Sequence, residues 1–126
     1  MEEEEKKKKV LVVEDEGLLR ELLSEKMRLE GFEVFEAIDG EQGFEIALEE
    51  KPDLVLLDLL MPGIGGMEVL RRMRDDESTR STPVIILSNL SGKEKIAEGA
   101  EYGAVEYLVK SNFTLEDIVT KIKEIG

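Results

Sequence analysis

Residues 54–63, Leu-Val-Leu-Leu-Asp-Leu-Leu-Met-Pro-Gly, set the architecture of this chain. The apolar run 54–57 is typical of a strand that is buried on both faces of a parallel sheet. Asp58 follows directly, so its carboxylate is predicted to lie where the strand ends, at the carboxyl edge of the sheet. Open α/β sheets bind their ligands at that edge. An acid there is a ligand, a nucleophile or a helix cap, and the remaining sequence must discriminate among these roles.

The same pattern recurs along the chain and alternates with helical segments. Strands are predicted at 10–13, 33–37, 54–57, 84–87 and 107–110. Helices are predicted from Leu18 towards a C-cap at Gly31, at about 41–50, 67–74 and 93–102, and after an N-cap at Thr114. Strict alternation with short connections predicts an α/β fold, a doubly wound five-stranded parallel sheet with five helices. The chain is too short for an eight-stranded barrel.

Length and composition bound the functional classes. At 126 residues, with 41% hydrophobic and 37% charged residues, the chain has room for one domain, expected at 8–126 after a charged leader at 1–7. No apolar stretch reaches membrane-spanning length and no signal region is present, so we expect a cytoplasmic location and no membrane contact. The net charge of -13 argues against direct nucleic-acid binding, because an acidic surface repels phosphate backbones.

Residue types missing from the sequence restrict the chemistry further. The chain contains no Cys and no His. It therefore lacks thiolate sites, the commonest general base and the commonest zinc ligand. Any reaction must depend on carboxylates, hydroxyls, lysine and metal-bound water.

Polar residues follow several of the predicted strands. Glu14 and Asp15 end the first strand, Asp58 the third, Ser88 the fourth and Lys110 the fifth. In a parallel sheet these ends lie on one side, so we expect the side chains to converge. Three neighbouring carboxylates repel one another, and an all-oxygen set favours Mg²⁺ over zinc. Taken alone, Asp15 is better explained as the cap of the first helix, a role that is compatible with metal binding.

Carboxylates, Mg²⁺, a lysine and a hydroxyl together suit the oxygens of a phosphoryl group. Asp58 is the candidate acceptor, which would give an acyl phosphate. An acid directly after four buried apolar residues is costly without a partner, which favours a site over a plain surface position.

At this point the sequence resembles a known family. Four motifs occur in the order and spacing of a response-regulator receiver domain of two-component signalling, similar to single-domain chemotaxis regulators: VLVVEDE (10–16), DLVLLDLLMPG (53–63), PVIILS (83–88) and EYLVK (106–110). The resemblance covers nearly all of the chain from Lys8 to Ile125. It implies a flavodoxin-like fold with strand order 2-1-3-4-5.

The resemblance also implies roles for individual residues. Asp58 would be the phosphoacceptor. Mg²⁺ would be bound by Asp15, by Glu14 through water, by Asp58 and by the backbone carbonyl of Leu60. Ser88 and Lys110 would contact the phosphoryl group, and Ser88 with Tyr107 would form the switch.

The partners implied are a sensor histidine kinase or phosphotransfer protein and a downstream protein. The downstream protein would bind the face formed by the helix at 93–102, the strand at 107–110 and the last helix. The resemblance implies a stand-alone signalling switch, monomeric or weakly dimeric, that is not a turnover enzyme. The alternative is an engineered or consensus-like scaffold with no physiological partner, which the four Glu and four Lys of residues 2–9 and the absence of His and Cys favour.

Some positions depart from the family pattern. Ser111 replaces the usual proline after Lys110, so we expect either a trans bond with a re-routed loop or a strained cis bond. Asn89 is bulkier than usual, and Gly65-Gly66 makes the loop after Pro62 looser than usual. Leu60 and Leu90 flank the phosphoryl position and cannot orient an attacking water, so we expect slow autodephosphorylation.

Overall fold

The computed structural model describes residues 7–90 and 92–125. Strands and helices alternate along this part of the chain. They are β1 (Lys9–Val13), α1 (Gly17–Leu29), β2 (Glu33–Ala37), α2 (Gly40–Glu50), β3 (Leu54–Leu57), α3 (Gly66–Asp75), β4 (Val84–Ser88), α4 (Lys93–Glu101), β5 (Glu106–Val109), a 3₁₀ turn (Lys110–Asn112) and α5 (Leu115–Ile125). None of the helices in the described ranges is long and apolar enough to span a membrane. Residues 1–6 of the predicted leader lie outside the described residues.

The five strands form one parallel sheet in the order β2-β1-β3-β4-β5. The predicted fold class and strand order are therefore confirmed. The order reverses between β1 and β3, where Val13 lies beside Leu57. The polar residues that follow these two strands thus flank the crevice in which open α/β sheets bind ligands.

Alternate residues of the central strands feed two separate cores, because successive side chains of a strand point to opposite faces. One core joins the sheet to α1 and α5, and includes Val12, Leu56 and Ile122. The other joins it to α2 and α3, with α4 on the same face, and includes Val13, Leu57 and Leu70. Burial on both faces explains why these strands are uninterrupted apolar runs.

The predicted element boundaries agree with the structure to within one or two residues, and one of these small differences is informative. Lys110 was predicted to end the last strand, but β5 ends at Val109 and Lys110 begins the 3₁₀ turn. In the helical leucine pattern of α1, Leu23 is buried whereas Leu18 is 67% exposed. Gly31 does have the positive φ (+96°) that favours glycine after a helix.

Candidate functional site

The site lies at the carboxyl edge of the sheet, and backbone pairing brings its acids together. The Asp58 N–H donates to the Val13 carbonyl (3.0 Å), and the Glu14 N–H donates to the Ala37 carbonyl (3.0 Å). Asp58 thus follows β3 directly beside the end of β1. Both carboxylates are buried, with residue exposures of 4% for Asp58 and 2% for Glu14.

Lys110 lies between the two buried carboxylates. Its Nζ is 2.9 Å from Glu14 Oε1 and 3.3 Å from Asp58 Oδ2, and its side chain is only 15% exposed. Burial by itself lowers the pKa of Lys110, but the hydrogen bond to Glu14 and the charges of Asp58 and Glu14 outweigh burial and raise the pKa. Lys110 is therefore a fixed positive charge within reach of Asp58.

The pKa of the Glu14 carboxyl group is strongly shifted by its surroundings. Burial raises its pKa to about 7, and the Asp58 charge acts in the same direction, against the lowering effect of the hydrogen bonds from Lys110 and from the Glu16 N–H. The carboxylate therefore lacks the positive charge needed to compensate fully for its desolvation.

Asp15 supplies the third carboxylate. Oxygens of Glu14, Asp15 and Asp58 all lie within 4.8 Å of one another, and Asp15 is exposed while the other two are buried. Three clustered carboxylates and no nitrogen or sulfur donor fit a hard cation such as Mg²⁺, which retains waters on its open side. Asp15 is not the cap of α1, because the N-cap is Glu16 and makes no side-chain capping bond.

The loop between β3 and α3 packs tightly against Asp58. The Leu60 N–H donates to Asp58 Oδ1 (3.3 Å), so one carboxylate oxygen is oriented by the loop's own backbone. A Cβ added at Gly66 would lie 2.0 Å from the Asp58 carbonyl oxygen, so only glycine fits there. The missing side chain at Gly66 permits this close backbone approach, and the looser loop expected from Gly65-Gly66 stays a prediction.

The predicted switch residues lie next to one another on β4 and β5. Ser88 is fully buried, and its Oγ accepts a hydrogen bond from the Leu90 N–H (3.3 Å). The Tyr107 hydroxyl donates to the Leu90 carbonyl. Burial and the charge of Asp58 raise the pKa of Tyr107. Ser88 and Tyr107 are thus joined through the backbone of Leu90.

The backbone after Lys110 resolves the alternatives left open by Ser111. No cis peptide bond occurs in the described ranges, so the Lys110–Ser111 bond is trans, and the chain turns through the 3₁₀ segment Lys110–Asn112. Lys110 nevertheless points at Asp58. The re-routed loop therefore preserves the position of the lysine.

Arg20 is a site residue that sequence reasoning missed. Its Nη1 donates to the backbone carbonyl of Glu14 (2.9 Å). Every residue has a backbone carbonyl, so the residue type at position 14 does not indicate that its carbonyl accepts from an arginine. The sequence therefore gave no signal for this contact.

Comparison with known proteins identifies the same family across the chain. The sequence model of the response regulator receiver domain matches residues 10–123. The phosphate regulon transcriptional regulatory protein PhoB of Pseudomonas aeruginosa is 34% identical over 115 residues, which are 91% of this chain and 50% of that protein. Response regulator PleD of Caulobacter vibrioides is 39% identical over 100 residues, 79% of this chain and 22% of PleD. The chain thus spans half the length or less of these curated relatives.

Solved structures of response regulators are similar to this chain in fold. The chemotaxis protein CheY4 of Vibrio cholerae superposes with a TM-score of 0.88 at 29% identity, covering 96% of this chain and 100% of CheY4. The response regulator TrrA of Thermotoga maritima, whose structure is a complex with Mg²⁺-BeF, gives a TM-score of 0.82 at 35% identity, covering 94% and 99%. Family match, sheet order and clustered strand-end residues lead to one conclusion: the chain belongs to the receiver domain family of two-component response regulators.

Proposed function

We propose that this chain is a phosphorylation-dependent switch in which Asp58 accepts the phosphoryl group. The observation that carries the proposal is the position of Lys110 Nζ, 3.3 Å from a buried Asp58 carboxylate that follows the central strand. A buried acid that faces a lysine and two further carboxylates is suited to bind, in turn, a cation and a phosphoryl group.

In the proposed reaction, an Asp58 carboxylate oxygen attacks phosphorus and forms the new P–O bond of an acyl phosphate. The bond from phosphorus to the donor breaks, and the donor group leaves with its electron pair. The Leu60 N–H and Lys110 Nζ each contact one Asp58 oxygen, at 3.3 Å, and so hold the carboxylate in orientation. Lys110 and the Ser88 hydroxyl then contact phosphoryl oxygens.

Glu14, Asp15, Asp58 and the Leu60 carbonyl are the proposed holders of Mg²⁺. When bound, the ion supplies positive charge to the oxygens of the transferring group. Asp15 is the exposed member of the three, so it would be the first carboxylate that an ion meets on entry from solvent.

Signal output is proposed to pass through Ser88 and Tyr107 to the surface formed by α4, β5 and α5. Movement of Ser88 towards a phosphoryl group would displace the Leu90 backbone, which both Ser88 and Tyr107 contact. The proposed donor is a histidine kinase or phosphotransfer protein, the proposed location is cytoplasmic, and the chain acts as a switch without substrate turnover. The unit proposed to do this is 8–126. The stand-alone arrangement stays a prediction.

Incubation with Mg²⁺ and a small phosphodonor such as acetyl phosphate tests the proposal. We expect intact-mass spectrometry to detect one added phosphoryl group on the unmodified chain, and none on Asp58→Ala or after chelation of Mg²⁺. Asp75→Ala is the matched control, since Asp75 ends α3 with a side chain that is 73% exposed. Failure of the unmodified chain to gain mass would contradict the proposal and favour the scaffold alternative.

A further inference from the structure

We propose that Arg20 is a positioning residue for the magnesium site, one that fixes the Glu14–Asp15 peptide from behind. This inference rests on the proposed function, because it concerns the same cation. Arg20 lies on the first turns of α1 and contacts none of the three clustered carboxylates in its described hydrogen bonds and ion pairs.

The first observation is the way in which Glu14 is held. Its N–H donates to the Ala37 carbonyl (3.0 Å), and its carboxylate accepts from Lys110 (2.9 Å) and from the Glu16 N–H (3.1 Å). The remaining polar group is the carbonyl oxygen, which accepts from Arg20 Nη1 (2.9 Å). Because Glu14 is only 2% exposed, removal of Arg20 would leave this carbonyl without its donor in a buried position.

The second observation is that Arg20 is itself anchored. Its side chain is 17% exposed, and its Nε lies 3.4 Å from Glu36 Oε1 on β2. Glu36 Oε2 in turn accepts from Arg28 Nη2 (3.2 Å). The planar guanidinium thus bridges a strand and the acidic loop, with separate N–H groups directed at each.

The consequence concerns Asp15, the exposed carboxylate of the cluster. The Glu14 carbonyl and the Asp15 N–H belong to one rigid peptide plane, so a donor on that carbonyl fixes the direction in which Asp15 leaves the strand. Without it, the plane can rotate to bring the carbonyl to water, and the Asp15 carboxylate moves away from Glu14 and Asp58. Partners that orient metal ligands in this way typically change metal affinity by about 10–100-fold.

A magnesium titration of the isotope-labelled full chain, followed by backbone amide chemical shifts, tests the assignment without any phosphorylation. We expect Arg20→Met to bind Mg²⁺ about tenfold more weakly than the unmodified chain. Arg28→Met is the matched control. It removes an equal charge from the same helix and an ion pair with the same Glu36, but Arg28 makes no described contact with Glu14. We expect its affinity to stay within about twofold, because its exposed charge is screened.

A second variant separates position from charge. Arg20→Lys keeps the positive charge, but a single ammonium cannot reproduce the guanidinium fork, so we expect weaker Mg²⁺ binding than in the unmodified chain. This variant also serves if Arg20→Met does not give a folded spectrum. Affinity equal to that of the unmodified chain in Arg20→Lys, or an equal loss in Arg28→Met, would overturn the positioning role. Absence of Mg²⁺ binding by the unmodified chain would instead contradict the proposed function, and the inference with it.

Discussion

A half-buried cation lies at each of two opposite edges of the sheet, one at the carboxyl ends of the strands and one at their amino ends. The two cations are paired with different kinds of acceptor. At the carboxyl edge, Lys110 contacts the carboxylates of Glu14 and Asp58. At the opposite edge, Arg74 at the end of α3 donates only to backbone carbonyls among the described residues. Its guanidinium contacts those of Thr79, Arg80, Thr82, Tyr102 and Gly103, at 2.8–3.3 Å.

This difference separates an exchangeable site from a permanent one. Carboxylates carry a charge and accept protons, metal ions and phosphoryl groups, whereas the neutral carbonyls that precede β4 and β5 take up neither a proton near neutral pH nor a phosphoryl group. The pKa values follow the same division: burial lowers the pKa of Arg74, while the neighbouring carboxylates raise that of Lys110 despite its burial. The carboxyl edge thus carries the groups of the proposed site, and Arg74 at the other edge joins the α3–β4 and α4–β5 connections.

The largest expected effect is the loss of the Arg74 contacts. Arg74→Met would leave five carbonyls without this donor, several of them part-buried, so we expect the free energy of unfolding to fall by about 3 kcal/mol. Urea denaturation measures this change. Phosphorylation of the folded variant should stay within about twofold, because the site lies at the other edge.

Arg72→Met is the control for Arg74. Arg72 lies on the same helix, but within the described ranges its ion pair is with Glu68 alone (3.0 Å), and its side chain is 41% exposed. Such a surface pair contributes less than about 1 kcal/mol. Equal losses in the two variants would remove the distinction between the backbone-anchored arginine and an ordinary surface charge.

The next effect is smaller and reversible by metal. Lys110→Met leaves Glu14 and Asp58 facing each other with side-chain exposures of 2% and 5%, and we expect a loss of about 2 kcal/mol in the absence of Mg²⁺. Because Mg²⁺ can replace the missing positive charge, denaturation with the ion present should recover most of this loss. Mg²⁺ should restore none of the stability that the Arg74 variant loses.

Lys121→Met controls for the removal of a lysine. Its ion pair with Glu106 (3.2 Å) has both side chains 37% exposed, so we expect a loss below about 1 kcal/mol and no effect of Mg²⁺. A Lys110 variant whose stability did not respond to Mg²⁺ would contradict the idea that this edge exchanges its partners.

The third effect concerns the rate of that exchange. Leu60 is 56% exposed and Leu90 is half-buried, and neither side chain can hydrogen-bond a water that attacks a phosphoryl group on Asp58. Leu60→Asn with Leu90→Glu introduces such groups, and since general-base assistance is worth roughly 10²–10⁴-fold, we expect the phosphorylated form to decay at least about tenfold faster. The loss of the added mass over time measures this decay.

Leu29→Asn is a suitable control, because Leu29 is 79% exposed on α1 and borders a groove between α1 and α5, away from the site. Its decay rate should equal that of the unmodified chain. An unchanged rate in the double variant would show that these two side chains do not set the lifetime.

The contrast between the edges also explains what the sequence could predict. The apolar runs at 10–13, 54–57 and 84–87 predict buried parallel strands, and the polar residues after them predict a shared edge. The convergence of Glu14, Asp15, Asp58 and Lys110 follows from this geometry, although their roles remain proposals.

Contacts to the backbone escaped prediction. Arg74 is one of several arginines in a polar stretch, and nothing in its neighbours indicates that it donates to carbonyls of the loop after α3 and of a turn 28 residues away. The turn after Lys110 and the close approach at Gly66 have the same origin. Periodicity reports which face is apolar, but it does not report where a main-chain oxygen lies.

The smallest effect tests a fixed element at the reactive edge. The Thr114 Oγ1 accepts from the Asp117 N–H (3.1 Å), and the Thr114 N–H donates to Asp117 Oδ2 (3.0 Å), which together cap α5 directly after the Lys110–Asn112 turn. Thr114→Ala should cost about 1 kcal/mol without altering phosphorylation. Thr120→Ala, an exposed position within α5, should be neutral or slightly stabilising.

The cap also predicts a pH dependence with a definite sign. Hydrogen bonds from the Thr114 backbone and side chain lower the pKa of Asp117 in the folded state. Its contribution is therefore complete above the unfolded pKa of about 3.9 and disappears as the pH falls through the lower folded value. The stability difference between Thr114→Ala and the unmodified chain should be constant near neutrality and shrink below about pH 4. A stability difference that grew on acidification would contradict this assignment. So would a clear loss of phosphorylation in the folded Thr114→Ala variant, because the cap would then contribute to the reactive site.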